Sequence, residues 1–61
     1  MNTKRIRVEA LMTQEQFASE LNVTPGTVSA WERGIRNPSL TQQSKIYKFC
    51  KKHNIKFKEE K

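Results

Sequence analysis

The sequence predicts an all-α fold, a small bundle of four short helices followed by a short extended C-terminal tail. Three observations carry that expectation. Helix-starting residues recur at Thr3, Thr13, Thr24 and Ser39, each opening a run with apolar residues three or four apart. Residues suited to a left-handed exit follow at Asn22, Gly34 and Asn54. The connections between the runs are short, so the four helices follow one another in close succession.

Thr3 precedes a first helix over Lys4 to Ala10, weakened by the β-branched Ile6 and Val8. "TQEQ" at 13–16 is a capping box. The Thr13 hydroxyl can accept from the Gln16 amide while the Gln16 side chain reaches back to the Thr13 amide. The second helix then carries Phe17, Ala18 and Leu21 on one face and leaves at Asn22. Thr24 caps a third helix over about 24–33, with Pro25 in the first helical position, where its missing N–H costs nothing. Val28 and Trp31, three apart, share the inner face, and Gly34 ends the helix. After the loop "IRNP", "SLTQ" at 39–42 forms another capping box. The fourth helix runs through Leu40, Ile46, Tyr47 and Cys50 to about His53, with Asn54 as its exit. Ile55 and Phe57 alternate with lysines in the tail, a strand-like pattern.

Only Asn22, Val23 and the Thr24 cap join the second helix to the third. Helices joined so tightly cannot lie antiparallel and must cross steeply, which predicts a helix-turn-helix over about 13–34. With 61 residues, the chain reads as one domain near the lower limit for a self-sufficient core.

Composition narrows the function classes. Twelve Lys and Arg against six Asp and Glu give a net charge of +6, with a pI near 9.9. Such a charge on so short a chain favours a polyanion, usually nucleic acid. Cys50 and His53 are each the sole residue of their type, so neither a disulfide nor a metal site is expected within one chain. Cys50 reads as a small buried hydrophobe. No stretch suits a membrane span or a signal peptide, and a reducing intracellular setting fits. Ser29, Ser39 and Ser44 have no His–Asp pattern beside them, so no catalytic residues are expected and the chain reads as a non-enzyme.

The stretch "TQEQFASELNVTPGTVSAWERGIRNPS" resembles the helix-turn-helix of the lambda repressor and Cro-like (XRE) family of DNA-binding regulators. The likeness rests on the Thr-Gln start, an Ala within the second helix, a Val in the turn, "TVSAWERG" and the trailing "RNPS". It reaches back to Ile6 and Arg7 and forward to Ile46. It implies a five-helix bundle whose third helix enters the major groove, usually as a homodimer on a two-fold site. Leu11 departs from the family pattern, standing where relatives usually carry glycine. The fourth helix is also about a turn longer than usual, and the chain ends near where a fifth would begin.

The resemblance implies roles for individual residues. Thr24, Pro25, Gly26, Thr27, Ser29 and Ala30 occupy the base-reading positions, where relatives often carry Gln, Arg or Lys. Gln14, at the start of the second helix, would brace a DNA phosphate. Arg33, Arg36 and Asn37 would meet the sugar-phosphate backbone. Arg7 and Glu32 would pair to fix the reading helix, with Trp31 anchoring it to the core. Lys45, Lys48 and Lys52 form an outer stripe that reads as a solvated face.

The expected function is therefore that of a sequence-specific transcriptional regulator of double-stranded DNA. The simplest mechanism is repression by promoter occlusion. The expected protein is a cytoplasmic product of a bacterium, phage or mobile element. It would form a weak homodimer and use no cofactor, metal or small-molecule ligand. The alternative is a protein-interaction module, such as an antirepressor or antitoxin, that keeps the helix-turn-helix as scaffold.

Overall fold

A computed structural model describes residues 2–56 and shows four helices and, among the described residues, no strand. They are α1 (Thr3–Glu9), α2 (Gln14–Leu21), α3 (Pro25–Glu32) and α4 (Leu40–Lys52). None is long and apolar enough to cross a membrane.

The expected starts hold for three of the four. Both capping boxes close in both directions, at Thr13–Gln16 and Ser39–Gln42. Thr24 caps α3 with Pro25 next in line. The first helix differs. Asn2, not Thr3, is its cap, with Asn2 Oδ1 accepting from the Arg5 amide at 3.0 Å. Asn caps at least as well as Thr. Thr3 is thereby released into the helix, where it is buried.

All four helices end the same way. A residue with φ between 59° and 75° (Leu11, Asn22, Gly34, Asn54) turns the chain. The next residue's amide donates to a carbonyl five residues back: Met12 to Arg7, Val23 to Ala18, Ile35 to Ala30, Ile55 to Cys50. This is the Schellman arrangement, which satisfies carbonyls the helix would otherwise leave open. Met12, Val23 and Ile55 also pack against the core. Ile35 is instead exposed.

Ile6, Phe17, Ala18, Leu21, Val28, Trp31, Ile46, Phe49 and Cys50 make the core. Phe17 and Phe49 meet edge to face at its centre, their ring centroids 5.1 Å apart. α2 packs on both α3 and α4, while α1 lies against α3. The apolar residues along α4 divide between core and surface. Leu40 and Tyr47 are exposed, and Phe49 joins Ile46 and Cys50 inside. Leu40 is the first residue of α4 and is 83% exposed.

Ile55 folds back over the core, and Arg5 Nη2 donates to the Lys56 carbonyl at 3.0 Å, tying the start of the tail to α1. Residues 55–56 have no regular structure; the remainder of the expected extended segment, Phe57 included, lies outside the described residues.

Leu11 is the one turn residue whose side chain resists its backbone. A left-handed conformation costs an L-residue about 1–2 kcal/mol, and Leu11 is 89% exposed, so its side chain returns little by burial. Leu11→Gly should stabilise the protein by about 0.5–1 kcal/mol after the added chain entropy of glycine is counted. Thermal unfolding followed by circular dichroism should show a midpoint several degrees higher; an unchanged or lower midpoint would mean the turn is unstrained.

Candidate nucleic-acid interface

α3 divides its eight residues between two tasks. Val28 and Trp31 face inward and are buried. Pro25 and Gly26 are exposed, while Thr27, Ser29 and Ala30 are half-buried along the outer edge. The three-residue spacing of Val28 and Trp31 puts the intervening positions on that edge. The six expected base-reading residues are thus those of α3 and its cap that the burial of Val28 and Trp31 leaves outside the core.

Thr24 and Thr27 are engaged with each other. Thr24 Oγ1 accepts from the Thr27 amide at 3.2 Å and lies 2.9 Å from Thr27 Oγ1. One of the two hydroxyl hydrogens bridges the oxygens, so the pair keeps a single O–H to offer outward. The sequence holds the signal for this, a threonine three residues after a threonine cap.

The orientation of α3 rests on Glu32. Arg7 Nε donates to Glu32 Oε2 at 2.6 Å and Arg7 Nη2 to Glu32 Oε1 at 3.2 Å, a two-point pair. The side chains are 15% and 7% exposed, so water screens the pair little. Arg7 Nη1 also donates to the Met12 carbonyl at 2.9 Å, and Gln14 Nε2 to Glu32 Oε1 at 3.0 Å. One carboxylate on α3 therefore holds donors from α1 and α2. Burial pushes the Glu32 carboxyl up, but the hydrogen bonds from Arg7 and Gln14, with the charges of Arg7 and Lys4, outweigh it and leave the group below its ordinary range. The hydrogen bond to Glu32 holds the Arg7 guanidinium in its charged form, against burial.

Gln14, expected to brace a phosphate, has one amide hydrogen committed to Glu32; a primary amide has a second to offer. The Gln14 link could not be read from periodicity, since it depends on how α2 meets α3, and the Met12 contact depends on the turn that ends α1.

Arg33, Arg36 and Asn37 are exposed just past α3. The Ile35 and Arg36 amides both donate to the Ala30 carbonyl, at 3.0 and 3.3 Å, which fixes the root of the Arg36 side chain against the helix end. Lys4 joins Trp31 and Arg33 in lining a groove beside them, a cation the sequence reading did not single out.

The solvated lysine stripe holds in part. Lys48 and Lys52 are exposed and Lys45 is half-buried. Lys52 lies 3.8 Å from Glu20, a surface pair of little energetic weight. Burial raises the Cys50 thiol's pKa, which keeps it protonated and unreactive. Among the described residues, no three His, Cys, Asp or Glu side chains are grouped so as to hold a metal.

Removing either Arg7 or Glu32 should cost about 2 kcal/mol, because each deletion strands a largely buried partner. The double mutant should recover part of that loss in a double-mutant cycle. Additive single losses would reduce the pair to two independent contacts. The depressed Glu32 pKa also has a sign. Its stabilisation is complete above the unfolded value of about 4.3 and is lost as pH falls through the lower folded value. Urea unfolding should therefore show a steeper decline in stability below about pH 4 for wild type than for Glu32→Gln.

A search of curated proteins and one of solved structures each gave no match. A family model described as helix-turn-helix matches residues 4–56, from the first turn of α1 past the end of α4. The closely joined α2 and α3, the Glu32 node and the exposed edge of α3 all fall inside that span. The chain belongs to the lambda repressor and Cro-like helix-turn-helix family of DNA-binding regulators.

Proposed function

We propose that this protein is a sequence-specific transcriptional regulator, acting as a repressor by occluding a promoter, with the 24–33 segment in the major groove of double-stranded DNA. The observation that carries this reading is the outer edge of α3. Thr24, Pro25, Gly26, Thr27, Ser29 and Ala30 line it, and Arg33, Arg36 and Asn37 stand exposed at its far end. Base readers and phosphate contacts are therefore supplied by one continuous segment. Gln14 adds a phosphate donor at the start of α2 through its second amide hydrogen. The net charge of +6 supplies the long-range attraction. In this reading residues 1–61 act as one domain, without cofactor, metal or small-molecule ligand, in the cytoplasm of a bacterium or in the host of a phage or mobile element.

The operator would be occupied by a weak homodimer. Half-sites one helical turn apart lie about 34 Å from centre to centre. The structure extends 25 Å at its widest between Cα atoms, so at that spacing the backbones of two such helical units do not touch. Ile55 folds over its own core; Ile35 and Leu40, past the end of α3, remain apolar and exposed. Such a contact falls well short of the roughly 1,000 Å² that a stable interface buries. The short side chains on α3 also suit the antitoxin or antirepressor reading. That reading predicts no salt-dependent affinity for duplex DNA.

Ala30→Glu should abolish DNA binding with the circular dichroism spectrum unchanged, by placing a carboxylate in the groove. Arg36→Ala should weaken all duplexes alike and lower the slope of log affinity against log salt by about one unit. Normal binding by Ala30→Glu would mean that α3 is not the reader. Sedimentation should find free monomer at micromolar concentration and a dimer on two-fold DNA. A dimer persisting at nanomolar concentration would refute the weak interface.

A further inference from the structure

Gly26 is a glycine the fold does not require. It lies in the first turn of α3 without a positive φ, and a Cβ built there would meet nothing nearer than Thr24 Oγ1, at 3.9 Å. Alanine would fit that position and favour the helix more. The glycine thus weakens α3 with no return inside the molecule, at an exposed point on the proposed reading edge.

The rest of that edge is poor in hydrogen-bonding groups. Residues 24–31 include no Asn, Gln, Arg or Lys, the side chains able to make two-point contacts with adenine or guanine. The only charged side chain of α3, Glu32, is held by Arg7 and Gln14. The Thr24 and Thr27 hydroxyls share one hydrogen between them, leaving one O–H outward. Ser29 adds a hydroxyl at the flank. What remains is apolar and short: the Pro25 ring, the Thr27 methyl and the Ala30 Cβ. Gly26 and Ala30 are four apart, and Thr27 and Ala30 three, so they share one face of the helix.

Among the base edges of the major groove, the apolar feature that such a surface can match is the thymine C5-methyl. Side chains this short reach a base only if the helix backbone comes close, and a bare Cα at Gly26 permits that approach. We propose that this protein selects its site through thymine methyls, packed against Thr27 and Ala30, with Gly26 the point of closest backbone approach. This specifies what the α3 edge reads and rests on the reading that α3 enters the groove.

The test uses the full chain and the tightest duplex it recovers from a random pool. Deoxyuridine replaces thymine one position at a time, which deletes only the methyl. At each contacted position affinity should fall about fourfold, the worth of one buried methyl-sized group. Thr27→Ser keeps the hydroxyl and removes the methyl; it should weaken binding to a similar extent, and one uracil penalty should disappear in that variant. Gly26→Ala should raise the thermal midpoint yet weaken binding about tenfold by holding the helix off the bases. Uracil duplexes bound as tightly as the thymine parent would overturn the methyl readout while leaving DNA binding intact. Wild-type affinity in Gly26→Ala would overturn the close approach. Failure to bind any duplex would overturn both this inference and the regulator reading beneath it.

Discussion

A single carboxylate sets the geometry on which the rest depends. Glu32 sits in the last turn of α3, receives two bonds from Arg7 on α1, and takes a third from Gln14 at the start of α2. Its desolvation is compensated by charged, two-point geometry rather than by proximity alone. Buried ion pairs of this kind add less to stability than their Coulomb energy suggests. Their directional bonds nonetheless favour one crossing arrangement over its neighbours. Val28 and Trp31 hold α3 to the core by apolar contact, which tolerates sliding. Directional bonds at Glu32 do not. The same guanidinium reaches the Met12 carbonyl, so the connector through Leu11 belongs to the same unit.

The economy of α3 follows from its length. With eight residues there is no spare face: two side chains anchor, one carboxylate orients, and the remainder are short. Long polar readers at 26, 27 or 30 would give up side-chain entropy and water contacts on meeting DNA. Short residues avoid both. In the proposed reading they also leave the work of affinity to cations outside the helix, at Arg33 and Arg36.

Much of the frame is legible in the sequence because helix ends are local chemistry. The capping boxes at 13–16 and 39–42, Pro25 after Thr24, and the exits at Asn22, Gly34 and Asn54 each declare themselves within a few residues. Leu11 does not, because leucine is a strong helix former with no preference for a left-handed turn. The resemblance in sequence marks the position as a departure, and the backbone shows that Leu11 itself takes the left-handed conformation there. Thr3 misleads because Asn2 precedes it with an equal claim to the cap. On α4, spacing alone makes Leu40 and Tyr47 as eligible for the core as Phe49, and only the placement of α2 decides among them. The Arg7–Glu32 pairing is implied by resemblance. Periodicity has no way to express a bond between residues on different helices, and the Gln14 contact is hidden for the same reason.

The repeated left-handed closure has a kinetic side. Each helix finishes with hydrogen bonds spanning no more than five residues, and each of the last three starts with a cap reaching three residues ahead. The links between Arg7 and Glu32 span 25 residues, so their loop-closure entropy must be met before they reward the chain. Local ends can therefore form early and distant docking late, the ordering typical of helical domains of low contact order, which fold in microseconds to milliseconds. A chain organised in this way exposes its apolar faces only briefly after synthesis, which keeps a small basic protein out of the aggregates that slower topologies risk.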